Sequence, residues 1–165
     1  MAETILRMYG IQKYFPGVHA LDDARLEVKA GEVMALVGEN GAGKSTLMKI
    51  LTGVYTKDAG TIELFGSPVE IHGPRDAQAK GISIVHQELN LMQDLTVAEN
   101  IFIGREPVKR GFLDKAEQNR MTEELLGSLH LNNISAKTPV KHLTVAKQQM
   151  VEIARTVYAD AQIII

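Results

Sequence analysis

One stretch of this sequence carries unmistakable chemistry. Gly38-Glu39-Asn40-Gly41-Ala42-Gly43-Lys44-Ser45-Thr46 fits the pattern G-x-x-x-x-G-K-[ST]. Gly38, Gly41 and Gly43 let the backbone turn tightly and aim its N–H groups inward at phosphate oxygens. Lys44 adds a positive point charge for β- and γ-phosphates, and Ser45 offers a hydroxyl to Mg²⁺. A helix following Lys44 directs its positive dipole end at the same anion. These residue types at this spacing point to a nucleoside triphosphate. They do not say which reaction, because kinases, GTPases, motors and transporters all use such a loop. No guanine-reading Asn-Lys-x-Asp run occurs in the chain.

Hydrolysis asks for more than a phosphate cradle. Mg²⁺ wants a carboxylate in its outer shell, and the attacking water needs a base or an orienting group. No strand-like apolar run here ends in paired acids. The best candidate, Ile163-Ile164-Ile165, reaches the last residue. Glu88 is a conceivable stand-in, but nothing in the pattern places it in line with a γ-phosphate. The expectation is a chain that binds nucleotide and turns it over poorly or not at all.

The loop needs a strand before it and a helix after it. Val33-Met34-Ala35-Leu36-Val37 follows Gly31-Glu32 and predicts a buried strand. Ser45 to Leu51 has helix-forming composition. Residues 4–10, 25–29, 59–66 and 81–85 read as further short strands, with a turn at Phe15-Pro16-Gly17. From about residue 96 the character changes. Thr96 with Glu99 three residues on is a capping box. Leu113 to Leu131 has helical spacing, with Met121, Leu125, Leu126 and Leu129 on one face. Thr144 is placed to cap a last helix running through Ala159, with Val145, Met150, Ile153, Ala154 and Val157 as its apolar side. Together these predict an α/β core interrupted by a mostly helical insert. The terminal Ile163–Ile165 reads as a strand cut short inside a longer polypeptide.

Composition sets the remaining bounds. The chain has 165 residues, 45% hydrophobic and 23% charged, an ordinary globular profile long enough for one real core. Its formal net charge of −2 gives no global pull toward nucleic acid or anionic lipid. There is no cysteine, hence no disulfide framework and no thiolate metal site. No run reaches the roughly 18 apolar residues that span a bilayer, and the first residues lack a secretion signal. A soluble or peripheral intracellular protein is expected.

The wider set of motifs resembles the ATP-binding subunits of ABC transporters. The residues that carry the likeness are the loop 38–47, Gly31-Glu32 before it, Ala59-Gly60-Thr61-Ile62 after the helix, Val85-His86-Gln87-Glu88 and Leu95 to Ile101. Gly53-Val54-Tyr55, His86 to Leu89, Asn100 to Arg105 and Gln148 to Arg155 resemble more closely the importers of simple sugars, the ribose-type group. The likeness runs from about Met8 onward and matches most of the first of two cassettes. It implies a P-loop NTPase fold of the ABC type, with a parallel-strand core, an antiparallel β subdomain and a helical insert, C-terminally incomplete. Residues 1–90 would form the core and β subdomain, 91–145 the insert, and 146–165 the signature helix and the start of the Walker B strand.

The resemblance also implies roles. Lys44 and Gln87 would be catalytic, and Ser45 and Gln87 metal ligands. Gly38, Glu39, Asn40, Gly41, Ala42, Gly43, Lys44, Ser45 and Thr46 would hold ATP. Phe15 would stack on adenine, with Tyr14 the alternative by one residue, and His86 would shape its loop. Leu143-Thr144-Val145-Ala146-Lys147-Gln148-Gln149 takes the place of the signature Leu-Ser-x-Gly-x-x-Gln. Thr144 keeps a hydroxyl for a γ-phosphate. Ala146 puts a methyl group where a backbone N–H should approach closely, which implies a weakened clamp on ATP held by the opposite cassette. The implied cofactors are ATP and Mg²⁺. The implied partners are membrane permease subunits at the surface around Gln87 to Gly104, a second cassette and, indirectly, a sugar-binding protein, but no nucleic acid. The implied place is the cytoplasm, peripheral on the inner face of the cell membrane. Two other readings stay open: a non-transport ABC ATPase, and an ATP-binding module without hydrolysis.

Overall fold

The computed structural model describes residues 2–85 and 89–165. The chain divides into two compact units, residues 1–82 and 83–165.

The first unit is built on a hairpin. β1 (Thr4–Phe15) and β2 (Val18–Lys29) pair antiparallel around the Pro16-Gly17 turn. Both strands are longer than the sequence pattern suggests, because each changes face midway. β1 buries Leu6 and Met8, then Ile11 and Lys13. The parity switch coincides with a register shift around Gly10, which has φ 65°. β2 buries Leu21 and then Leu26, switching near Asp23 at φ 48°. A bulge inserts one unpaired residue and so flips alternation without ending the strand.

α1 (Lys44–Leu51) packs on β2 through buried Leu47, Ile50 and Leu51, an i, i+3, i+4 stripe. Burying each of these is worth about 1.5–3 kcal/mol. β3 (Ala59–Leu64) and β4 (Ser67–Val69) extend the sheet to the order β2-β1-β3-β4. α2 (Pro74–Ala79) follows, with Pro74 in its first turn, where a missing N–H costs nothing.

The predicted strand at Val33–Val37 is absent. Residues 32–39 adopt no regular structure and are exposed, Val33 at 98% and Val37 at 92%. An all-apolar run becomes a central strand only when neighbours take up its backbone groups on both edges and cover its faces. None of the described strands pairs with it. Among the described residues, parallel pairing is confined to β5 (Ile82–Ser83) and its partner strand near residue 165.

In the second unit, α3 (Val97–Phe102), the short hairpin β6 (Val108–Lys109) and β7 (Phe112–Leu113), α4 (Lys115–Ser128) and α5 (Val145–Tyr158) precede β8 (Ile163–Ile164). Ile165 N–H donates to Ser83 O at 2.9 Å and Ile165 O accepts from Val85 N–H at 2.8 Å. One residue bonding to both neighbours of Ile84 is the parallel pattern. The core joins Leu91, Val97, Ile101, Phe102, Leu126, Ile134, Val140, Val151 and Ala154. Met121, Leu125 and Leu129 pack against it, as their spacing predicts.

The capping box forms. Thr96 Oγ1 accepts from Glu99 N–H at 3.2 Å, and Glu99 Oε2 accepts from Thr96 N–H at 2.9 Å. The expected apolar side of α5 is largely wrong. Val145, Met150 and Val157 are exposed, and the buried side is Gln148, Val151, Glu152, Ala154 and Thr156. Gln148 goes inside because its Nε2 donates to Val140 O and Leu143 O, each at 3.1 Å. A satisfied amide is cheap to bury. Among the described residues no helix is long and apolar enough to cross a membrane.

Candidate functional site

The loop before α1 has the shape its glycines require. Ala42 N–H donates to Glu39 O at 3.2 Å, closing a turn that Gly41 passes at φ 88°. Gly43 follows in the left-handed region at φ 83° and is the N-cap of α1. A Cβ at Gly43 would lie 2.5 Å from Leu21 Cδ2 and 2.8 Å from Ala20 O. Glycine is thus needed twice over, for its torsion and for its bare Cα against β2.

Lys44 folds back over this turn. Its Nζ donates to Gly38 O at 2.6 Å and to Glu39 O at 2.8 Å. Glu39, Asn40, Gly41, Ala42 and Ser45 are exposed, and Gly43, Lys44 and Thr46 are half-buried. α1 has no acidic residue in its first turn and no side-chain cap among the described residues. Its leading N–H groups and its positive dipole end therefore face outward beside an ammonium, with no carboxylate to neutralise them. That arrangement fits a polyanion, and the Ser45 hydroxyl fits a hard cation held between it and phosphate oxygens. Among the described residues no three His, Asp or Glu side chains converge as a metal cluster.

Phe15 closes β1 in the same unit. Its half-buried ring meets Tyr55 edge-on, 5.3 Å between centroids and 70° between planes. Tyr14 instead stacks on His19 at 4.1 Å and 13°. Thr144 belongs to the other unit. It is exposed and caps α5, accepting from Lys147 N–H at 3.4 Å. Val145 and Ala146 beside it are exposed too. Gln87, with His86 and Glu88, lies outside the described residues.

The sequence profile of the ABC transporter family matches residues 21–165. The chain belongs to the ABC transporter family. It is 56% identical over 165 residues to a ribose/galactose/methyl galactoside import ATP-binding protein 2 of Burkholderia cenocepacia (strain HI2424), covering 99% of this chain and 32% of that protein. A ribose/galactose/methyl galactoside import ATP-binding protein of Ralstonia nicotianae is 54% identical over 164 residues, with the same shares covered. The chain thus spans about a third of the length of these relatives. Its backbone superposes on MJ1267, an ATP-binding cassette of an ABC transporter solved in an ADP conformation, with a TM-score of 0.82 and 27% identity. That match covers 98% of this chain and 67% of the cassette. The cbiO1 protein of Clostridium perfringens gives 0.81 at 23% identity, a likeness of fold alone, over 98% of this chain and 64% of that one.

Within this cassette fold, several polar anchors escape sequence reasoning. Asn100 is 1% exposed, and its amide bonds Met92 N–H at 2.7 Å, Met92 O at 3.0 Å and Thr96 O at 3.0 Å. It closes the loop leading into α3. Gln148 does the same for the turn before α5. The signal was an amide at a helix's second turn, four residues after a threonine cap in both cases, which periodicity counts as a polar interruption. Asp58 is a third, joined to Lys13 Nζ at 3.0 Å and to Tyr14 N–H at 2.7 Å.

Proposed function

We propose that this chain is the ATP-binding part of the energy-coupling subunit of a sugar import system of the ribose type. The observation that carries the reading is the loop 38–46, with Gly43 in the left-handed region, Lys44 folded over the turn and the uncapped first turn of α1 behind it. The names of relatives at 54–56% identity support the sugar class. Gly38 to Gly43 would supply backbone N–H groups to the phosphates. Lys44 would swing from its two carbonyls to the β- and γ-phosphates, and Thr46 would line the same cradle. Ser45 and Gln87 would hold Mg²⁺, which supplies charge neutralisation at those phosphates. Phe15 would carry the base; Tyr14 is the lesser candidate, because its ring is engaged with His19 and not with the segment after α1.

Thr144, exposed at the start of α5, would complete ATP held by a second cassette, with Ala146 weakening that clamp. The remaining partners are membrane permease subunits, near Gln87 to Gly104, and a sugar-binding protein beyond them. The working place is the inner face of the membrane, and ATP binding would drive closure of paired cassettes as a population shift.

The direct test is calorimetric titration of the chain with ATP, with and without Mg²⁺. Saturable 1:1 binding that is lost in Lys44→Ala and loses its Mg²⁺ dependence in Ser45→Ala supports the reading. Binding indifferent to Lys44 overturns it.

A further inference from the structure

We propose that Tyr55 is a positioning residue for base recognition: it braces the Phe15 ring and ties it to the helix that carries Lys44 and Ser45. The inference rests on the reading of Phe15 as the surface that stacks on the nucleotide base.

Phe15 stands at the end of β1, just before a turn that Gly17 passes at φ 78°. A half-buried ring there has two free torsions, and ordering them on binding subtracts from whatever stacking contributes. Two neighbours order it beforehand. Tyr55 meets it edge-on at 5.3 Å, the offset that ring quadrupoles favour. The Lys13 ammonium sits 5.5 Å from its centroid, within cation–π range. Lys13 is itself held by Asp58, whose other oxygen accepts from Tyr14 N–H. The Tyr14 N–H first, and the Lys13 ammonium second, hold the Asp58 carboxyl below its usual range. The brace is therefore intact at neutral pH.

Tyr55 is fixed from its far side by α1. Its N–H donates to Lys49 O at 3.0 Å, and the Lys49 Nζ lies 5.2 Å from its ring centroid. The turn between them is tight. Val54 N–H also donates to Lys49 O, at 2.8 Å, and a Cβ on Gly53 would lie 2.5 Å from the Gly73 carbonyl carbon. At about 1.5 Å per residue α1 is about 12 Å long, with Lys44 and Ser45 at one end and the Tyr55 turn beyond the other. One side chain thus transmits the position of the phosphate helix to the ring at the end of β1. A ligand bearing both a polyphosphate and a planar base senses that distance, and a bare polyphosphate does not.

The experiment titrates the wild-type chain and its variants with Mg·ATP and with Mg·tripolyphosphate, which has no base. Tyr55→Ala is expected to weaken ATP about three- to tenfold, the worth of one aromatic pair, and to leave tripolyphosphate unchanged. Tyr55→Phe keeps the ring edge and should restore ATP affinity. Tyr55→Leu fills the space without a quadrupole and should behave like the alanine variant, so it reads the same term if Tyr55→Ala does not fold. Equal losses for both ligands make Tyr55 a general support of the fold and overturn the proposal. So does unchanged ATP affinity in Tyr55→Ala while Phe15→Ala weakens it; the base reading then survives. If Phe15→Ala itself leaves ATP unaffected, the base reading fails and the brace with it.

Discussion

The ammonium of Lys44 lies 2.6 Å from the carbonyl oxygen of Gly38, six residues earlier in the chain. That contact spans the whole phosphate loop. It parks a positive charge over a turn whose own N–H groups take no side-chain partner among the described residues, so the loop is poised for an anion before one arrives. Lys44→Ala removes the charge without touching the core. We expect ATP affinity to fall at least tenfold, since a charge-assisted hydrogen bond contributes about 1.5–3 kcal/mol. Unfolding free energy should change by no more than about 0.5 kcal/mol. Calorimetry and urea denaturation on the same variant separate the two.

Gly43→Ala should do the reverse and strike stability first. The new methyl group would sit 2.8 Å from Ala20 O in a left-handed backbone. Leu21 can rotate away, but a strand carbonyl cannot. A loss of about 1–3 kcal/mol is expected, read as a lower urea midpoint, with ATP binding weakened as the loop shifts off β2. An unchanged midpoint would show that the loop does not rest on β2 as described.

The start of α3 should carry a pH signature. Thr96 N–H foremost, then the Thr96 hydroxyl and Lys115, hold the Glu99 carboxyl below its ordinary value of 4.5, against the opposing effect of burial. A depressed carboxyl adds stability that is fully present above about 4.5 and fades as pH falls through the folded-state value. Glu99→Gln should therefore be less stable than wild type at pH 7, and the gap should narrow in acid below pH 4.5. Thr96→Ala should cost about 1 kcal/mol at neutral pH. Urea midpoints of both variants across pH 3 to 7 test this; a gap that widens in acid contradicts it.

Gln148→Leu is expected to be more damaging than an ordinary polar-to-apolar change on a helix. It orphans the carbonyl of Leu143, at about 1–3 kcal/mol for a group left without water, and leaves the Val140 carbonyl with the Leu143 N–H alone. Gln148→Glu should be as damaging, since a carboxylate cannot donate to either oxygen. Thermal denaturation ranks the two against Gln149→Leu, an exposed neighbour expected to be nearly silent.

Much of the candidate site was legible in the residues themselves. The loop 38–46, the helix after it, the capping box of Thr96 and Glu99 and the cap at Thr144 are local devices, each set by torsions and hydrogen bonds within a few residues. Their chemistry survives any change in distant packing. The long-range choices were not legible. The strand at Val33–Val37 depends on partners that pair and cover it, and among the described residues it has none, so an apolar run stays exposed. The faces of β1 and β2 switch at Gly10 and Asp23 because bulges shift parity, which alternation alone does not reveal. α5 turned Gln148 inward and Val145 outward, because the turn before it needed donors more than the core needed another methyl group. Phe15 and Tyr55, forty residues apart, meet only once α1 packs against the sheet that contains β1. Local chemistry is additive along the chain; burial is decided by which neighbours arrive, and that is a property of the whole fold.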